Sequence, residues 1–294
     1  MIGKTRQPDA PLVEETFDES VGRARGVLRR PLPDGTMRHS RRAPSPDLSP
    51  WIAHYWMIAW DLAGVESHVA ESVSHPNIHL VFEDTGTVVT GIQTQKFSRL
   101  LRGRSQVFGV KFRPGGFRPF YRAPSSTLAD EVVAAEPIFG AEVLALRTIV
   151  FSDAPDDDRV AASDAFFRVR IPAPDDNVAV ATTLVDLILT DATITTVDEL
   201  VRRSGIAKRS LQRILREYVG QSPKWVIRRY RLHEVIERLQ AGEVLDWSRL
   251  AIDMGYFDQA HLINDFKAMV GLTPTQYASI VAPASDDLSR ARGV

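Results

Sequence analysis

Gln212 and Arg213 stand side by side in this chain of 294 residues, followed by Arg216 and preceded by Lys208 and Arg209. These residue types suit base-edge chemistry: a carboxamide offers adenine one donor and one acceptor, and a guanidinium offers guanine two parallel donors. Residues 202–231 hold ten Arg or Lys and a single acid, Glu217. A solvated helix face normally mixes signs, so this excess of nine positive charges, Arg228 and Arg229 among them, marks a surface that meets phosphate. The overall net charge of -1 hides the block, because the acids lie elsewhere.

Other chemistries have weaker signals. Four histidines, His54, His68, His75 and His79, suggest a metal site. A four-residue spacing aligns ligands on a helix, but Pro76 and the apolar run after it favour strand, where His75 and His79 would share a face about 13 Å apart. They are read as separate packing or surface residues, with no metal and no cofactor assigned. Zero cysteines remove disulfides, thiolate metal sites and cysteine nucleophiles, including the methyl-accepting cysteine of a DNA-repair enzyme. The chain is therefore read as a binding protein and not an enzyme. A second basic run, residues 96–122, carries eight Arg or Lys and no acid around Pro114-Gly115-Gly116. Arg113 and Arg118 in it could line a pocket for a small anionic effector, face the acidic loop at Asp156-Asp157-Asp158, or meet solvent.

The elements that carry Gln212 and Arg213 form a repeat. Leu200-Val201 and Ser204-Gly205-Ile206 recur fifty residues later as Leu250-Ala251 and Met254-Gly255-Tyr256, and Gly220-Gln221-Ser222-Pro223 is answered by Gly271-Leu272-Thr273-Pro274. Each unit reads as helix, glycine turn, helix. In the first, Thr196 and Glu199 form a capping box, and a helix over 208–219 buries Leu211, Ile214 and Leu215. In the second, a helix over 258–269 buries Leu262 and Phe266. Residues 246–270 hold four Asp against Arg249 and Lys267, so this unit gains little from phosphate attraction. A helix over 225–239, with Pro223 near its start, joins the units as a central rod.

The stretches Ser210-Leu211-Gln212-Arg213-Ile214-Leu215-Arg216-Glu217, Gly220-Gln221-Ser222-Pro223-Lys224, and Gly255-Tyr256-Phe257-Asp258 onward through Gly271-Leu272-Thr273-Pro274 resemble the AraC/XylS family of bacterial transcriptional regulators. The resemblance implies that Arg209, Gln212 and Arg213 face bases from the first recognition helix, and that Gln259, Ala260, Ile263 and Asn264 do so from the second. Asn264 departs from the family, which usually carries Arg there. It keeps a match to adenine but loses the charge and the bidentate match to guanine. Phe108-Gly109-Val110-Lys111-Phe112-Arg113-Pro114-Gly115-Gly116-Phe117, with His75-Pro76-Asn77-Ile78-His79-Leu80-Val81-Phe82 upstream, is similar to the β-rich N-terminal domain of one branch of that family.

The fold expected is α+β in two domains: a β-rich, cupin-like N-terminal domain and an all-α C-terminal domain with two helix-turn-helix units joined by a central helix. Composition gives a polar, largely extended segment over 1–45, a β-rich domain with a helical end over 46–170, a Pro-containing linker over 171–177, the helical domain over 178–282 and a tail over 283–294. The function expected is sequence-specific binding of double-stranded DNA to regulate transcription through RNA polymerase. The N-terminal domain would answer an effector, pair two copies as a homodimer, or both. The alternative is an effector-insensitive DNA-binding protein whose N-terminal domain only oligomerises. No apolar run approaches the roughly 18 residues of a membrane span, and acids occupy the place of a signal peptide, so the chain is expected in the cytoplasm with no membrane partner.

Overall fold

The computed structural model describes residues 12–22, 26–28, 35–62 and 64–281. Its first part is built from strands β1 (Leu12–Phe17), β2 (Val27–Leu28), β3 (Thr36–Arg42), β4 (Ile52–Asp61), β5 (His68–Ser72), β6 (His79–Glu83), β7 (Gly86–Thr90), β8 (Phe97–Leu101), β9 (Arg104–Phe112) and β10 (Val132–Ala134). They form a seven-stranded sheet in the order β1-β3-β4-β9-β6-β7-β10 and a three-stranded sheet β2-β5-β8. β1 runs parallel to β3, and the other pairings are antiparallel. The polar segment before residue 45 thus supplies β1 and β3 to the large sheet. Its composition concealed them because Arg38 and Ser40 point at a carboxylate, Asp156, and not at an apolar core.

Period-two alternation sets the two faces of the large sheet. Tyr55, Val110 and Leu80 lie in register across β4, β9 and β6, as do Met57, Phe108 and Phe82 one pair along, and all six are buried. The opposite face carries His54, Lys111 and His79 in one row and Trp56, Gly109 and Val81 in the next. A Cβ on Gly109 would fall 2.0 Å from the Trp56 ring. Glycine is required there so that the indole can lie across β9 and donate its Nε1–H to His79 Nδ1 at 3.1 Å. At one end of this face Trp60 and Val107 pack with Leu101 of the small sheet.

Helices α1 (Arg118–Tyr121), α2 (Glu136–Phe139), α3 (Glu142–Val150) and α4 (Asp156–Arg168) follow, with a 3-10 turn at Ser125–Leu128. The acidic stretch Asp156-Asp157-Asp158, expected as a loop, is instead the first turn of α4, where the helix dipole favours negative charge. Asp156 is buried and held by Arg38, Ser40 and Arg42 of the β3 region. It does not face the basic run 96–122.

The helical part comprises α5 (Asp176–Thr190), α6 (Val197–Ser204), α7 (Lys208–Ile214), α8 (Pro223–Gln240), α9 (Trp247–Asp253), α10 (Gln259–Val270) and α11 (Pro274–Val281). Thr196 and Glu199 form the capping box on α6. Gly205 and Gly255 end the first helix of each unit at φ +69 and +74, the left-handed region that glycine enters without penalty. α8 is the central rod, with Pro223 in its first turn.

Packing does not pause at residues 171–177. Phe112 and Phe117 share one buried cluster with Val178, Ala181 and Leu184 of α5, Leu211 of α7 and Tyr230 of α8. A second cluster joins Leu28 and Val73 to Leu232, Leu250, Leu262 and Phe266. The β-rich part therefore packs against both helix-turn-helix units. The sequence's tail, 283–294, lies outside the described residues.

Candidate nucleic-acid interface

α7 buries Leu211 and Ile214 and leaves Lys208, Arg209, Gln212 and Arg213 exposed, with Arg216 exposed on the π-helical turn Leu215–Val219 that continues it. The wider turn closes when Gly220 N donates to Leu215 O at 2.8 Å. It presses against the β-rich part: Ser125 Oγ donates to Tyr218 O at 2.8 Å, and a Cβ on Gly220 would fall 2.9 Å from Ser125 O. Two of the exposed cations already have acidic neighbours. Lys208 meets Asp198 at 2.8 Å, and Arg213 meets Glu217 at 3.3 Å, both near solvent where phosphate can compete for them.

α10 buries Leu262 and Phe266, half-buries Ile263, and exposes Gln259, Ala260, Asn264 and Lys267. Asp258 caps the helix by accepting from His261 N at 2.8 Å. The His261 ring lies edge-on to buried Tyr256 with centroids 5.2 Å apart, so this pair organises the turn. Gln259 is lightly engaged, accepting from Ser248 Oγ at 3.0 Å.

Of the two arginines expected to meet phosphate, Arg229 is withdrawn into the fold and Arg228 is engaged by a neighbouring helix. Arg228 leaves α8 to pair with Asp265 at 3.0 Å and His261 at 2.6 Å on α10, with its guanidinium over the Tyr256 ring. Arg229 is only 4% exposed. It donates to Thr94 O at 2.6 Å and stacks over Trp225, and burial brings its pKa down to about 10, so it stays charged at neutral pH. Residues on successive faces of a packed rod cannot all reach DNA, and charge count alone does not say which do.

Arg113 and Arg118 do not converge on an anion pocket. Arg113 Nε donates to Ser49 O at 2.5 Å, while Arg118 pairs with Glu217 at 3.2 Å over the Tyr218 ring. Lys96 pairs with Glu71 and Arg99 with Glu83. The run lacks acids in sequence, but acids from other elements come to it in space.

The histidines are also dispersed. His54 accepts from Arg41 Nη2 at 2.8 Å, and His79 accepts from Trp56. His75 precedes β6 instead of sharing a strand face with His79, and its ring stacks on His233 of α8 with centroids 4.0 Å apart. His68 opens β5 in the other sheet. Among the described residues no group of three or more metal-ligating side chains is assembled, and no helix is long and apolar enough to cross a membrane.

Sequence reasoning missed Glu217 as the acid shared between the two parts of the chain. It also passed over Phe257, which is 92% exposed just before α10. A lone acid within a basic block was a visible signal for the first, and an aromatic directly before a cap residue was one for the second.

A helix-turn-helix domain family matches residues 200–279, and a domain of unknown function, DUF6597, matches residues 40–134. The HTH-type transcriptional activator AarP of Providencia stuartii is 33% identical over 82 residues, covering 27% of this chain and 58% of that protein. The chain thus spans little more than half the length of this curated relative. Among solved structures, the C-terminal domain of AraT, a response regulator from Geobacillus stearothermophilus, is 19% identical, with 36% of this chain and 89% of that one covered at a TM-score of 0.32. ToxT from Vibrio cholerae is 14% identical, with 78% and 91% covered at a TM-score of 0.38.

Proposed function

We propose that this chain is a regulator of the AraC/XylS type that binds specific sites in double-stranded DNA and regulates transcription from them in the cytoplasm, a reading supported by the helix-turn-helix match over residues 200–279 and the likeness to AarP. The observation that carries the reading is the division of α7 and α10 into buried apolar and exposed polar faces, with Lys208, Arg209, Gln212, Arg213 and Arg216 exposed in the first unit. Two such helices, joined by α8, suit successive major grooves about 34 Å apart. Lys208, Arg216 and Lys267 position the chain on phosphates, and Arg209, Gln212, Arg213, Gln259, Ala260, Ile263 and Asn264 meet bases. Activation follows from presenting bound protein to RNA polymerase, and repression from occupying its site.

We further propose that the β-rich part governs this binding, by answering an effector, by pairing two copies, or by both. Its support is the clamp on the first unit: Arg118 on Glu217, Ser125 on Tyr218 O, and the Thr94 carbonyl on Arg229. An element so coupled transmits a shift to α7 in preference to sitting on a loose tether. The test is genome-wide mapping of bound DNA, followed by affinity measurements on the recovered sites against scrambled duplexes. A recovered motif bound many-fold more tightly is the expected result, and uniform binding to all duplexes would overturn specificity.

A further inference from the structure

The residue before the cap of a helix commonly packs on the fourth helical residue, fixing the angle at which the chain enters. For α10 those positions are Phe257 and Leu262. Leu262 is fully buried, yet Phe257 is 92% exposed. Tyr256, one residue earlier, takes the inward place, buried against His261 and Arg228. Phe257 is thus turned away from the core, and so large an exposed ring loses favourable burial for no gain within the chain.

The repeat gives this position a meaning. At an offset of fifty, Phe257-Asp258-Gln259 answers Ala207-Lys208-Arg209 of the first unit. Where the first unit offers an alanine followed by two cations, the second offers an aromatic ring followed by a capping acid and an amide. Recognition helices approach base edges with their N-terminal residues, and phenylalanine is one of the side chains that contacts the thymine methyl group. Ala260, exposed and small, leaves room for α10 to approach the groove floor.

We propose that Phe257 is a specificity residue of the second unit that packs on a thymine methyl in the major groove. The second unit then reads DNA by apolar contact where the first reads by charge and hydrogen bonds. This inference rests on the DNA-binding reading above.

The test uses the full chain and a duplex selected from random DNA by the unmodified protein. F257A is expected to bind that duplex about tenfold more weakly, with an unchanged dependence on salt because no phosphate contact is lost. Its affinity for scrambled duplex should not change. Uracil placed at each thymine in turn removes one methyl group at a time. At one position the unmodified protein should weaken while F257A does not, and F257L should fall between them. Equal affinity of F257A and the unmodified protein, an equal loss on scrambled DNA, or no uracil position that separates them would each overturn the proposal while leaving DNA binding intact. Failure of the unmodified protein to select any duplex would remove the DNA-binding reading and this inference together. Circular dichroism of F257A should match the unmodified protein, since an exposed ring contributes little to the fold.

Discussion

Arg118 and Glu217 meet at 3.2 Å across 99 residues of sequence, joining α1, the helix that follows β9, to the end of the first recognition helix. The other oxygen of the same carboxylate faces Arg213 at 3.3 Å. One acid therefore links the β-rich part to the side chain best suited to read guanine. Any movement of α1 that draws Glu217 away leaves Arg213 with fewer local partners and more freedom to meet DNA.

Glu217→Gln is expected to raise DNA affinity a few-fold, since exposed pairs of this kind are worth about 0–1 kcal/mol. The gain should be larger at low salt, because an acid beside the phosphates has been removed. Arg118→Ala leaves Glu217 to Arg213 alone and should not reproduce the gain. Affinities of both variants at three salt concentrations check this; an Arg118→Ala gain equal to that of Glu217→Gln would show that the carboxylate does not restrain Arg213.

Arg229→Ala is expected to lower stability by about 1–3 kcal/mol, because it removes a buried guanidinium's bond to the partly buried Thr94 carbonyl and uncovers Trp225. Arg229→Lys should not restore it fully, since a point charge lacks the planar stacking surface. Arg228→Ala is expected to cost less, its pair with Asp265 being nearer to solvent. Urea midpoints rank the three, and a stable Arg229→Ala that merely lost salt-dependent DNA affinity would return Arg229 to the phosphate surface.

These arginines also mark what the sequence could and could not reveal. The helix-turn-helix units were legible because they are local: the capping box at Thr196 and Glu199, the turns at Gly205 and Gly255, and the buried Leu211 and Leu262 are all set by spacing along one or two helices. The acids that pair with Arg118 and Arg228, and the Thr94 carbonyl that accepts from Arg229, were not, because each lies on another element. Asp156 gave the same difficulty from the opposite side, as an acid that looked solvated until β3 brought Arg38 and Ser40 to it. Gly109 was quoted for its likeness to a family, but its physical reason, the indole of Trp56 lying across it, needed the register of β4 on β9.

Stability is expected to fall as pH drops below 6.5. Burial, reinforced by Lys111, holds His79 at about 3, and burial with Arg41 holds His39 at about 4, against 6.5 for both in the unfolded chain. His54 is pushed the same way by burial, Lys111 and Arg41. Below pH 6.5 the unfolded chain takes up protons that the folded chain refuses, so stability is fully present above that value. It is lost by up to about 1.4 kcal/mol per histidine for each pH unit down to the folded values. Urea midpoints at pH 7.5, 6 and 5 should decline, and His79→Gln, which keeps an acceptor for Trp56, should flatten the decline. Equal midpoints across the range would mean that these rings are charged in the folded chain.

The two recognition helices should contribute unequally. Arg213→Ala is expected to cost about 1–3 kcal/mol on a specific duplex and to relax preference at one base position, as loss of a bidentate contact does. Asn264→Ala should cost less, because α10 is flanked by Asp253, Asp258 and Asp265 and holds Asn where a longer cation would grip guanine and phosphate together. Asn264→Arg should strengthen binding overall, but on scrambled and specific duplexes alike, with a steeper salt dependence that identifies the gain as phosphate attraction. Selections on randomised duplexes, with affinities at several salt concentrations, separate recognition from charge. A near-neutral Arg213→Ala beside an Asn264→Ala that abolishes specific binding would make the second unit the principal reader. The exposed cations of α7 would then serve to hold the backbone while α10, with Phe257 at its entry, chooses the site.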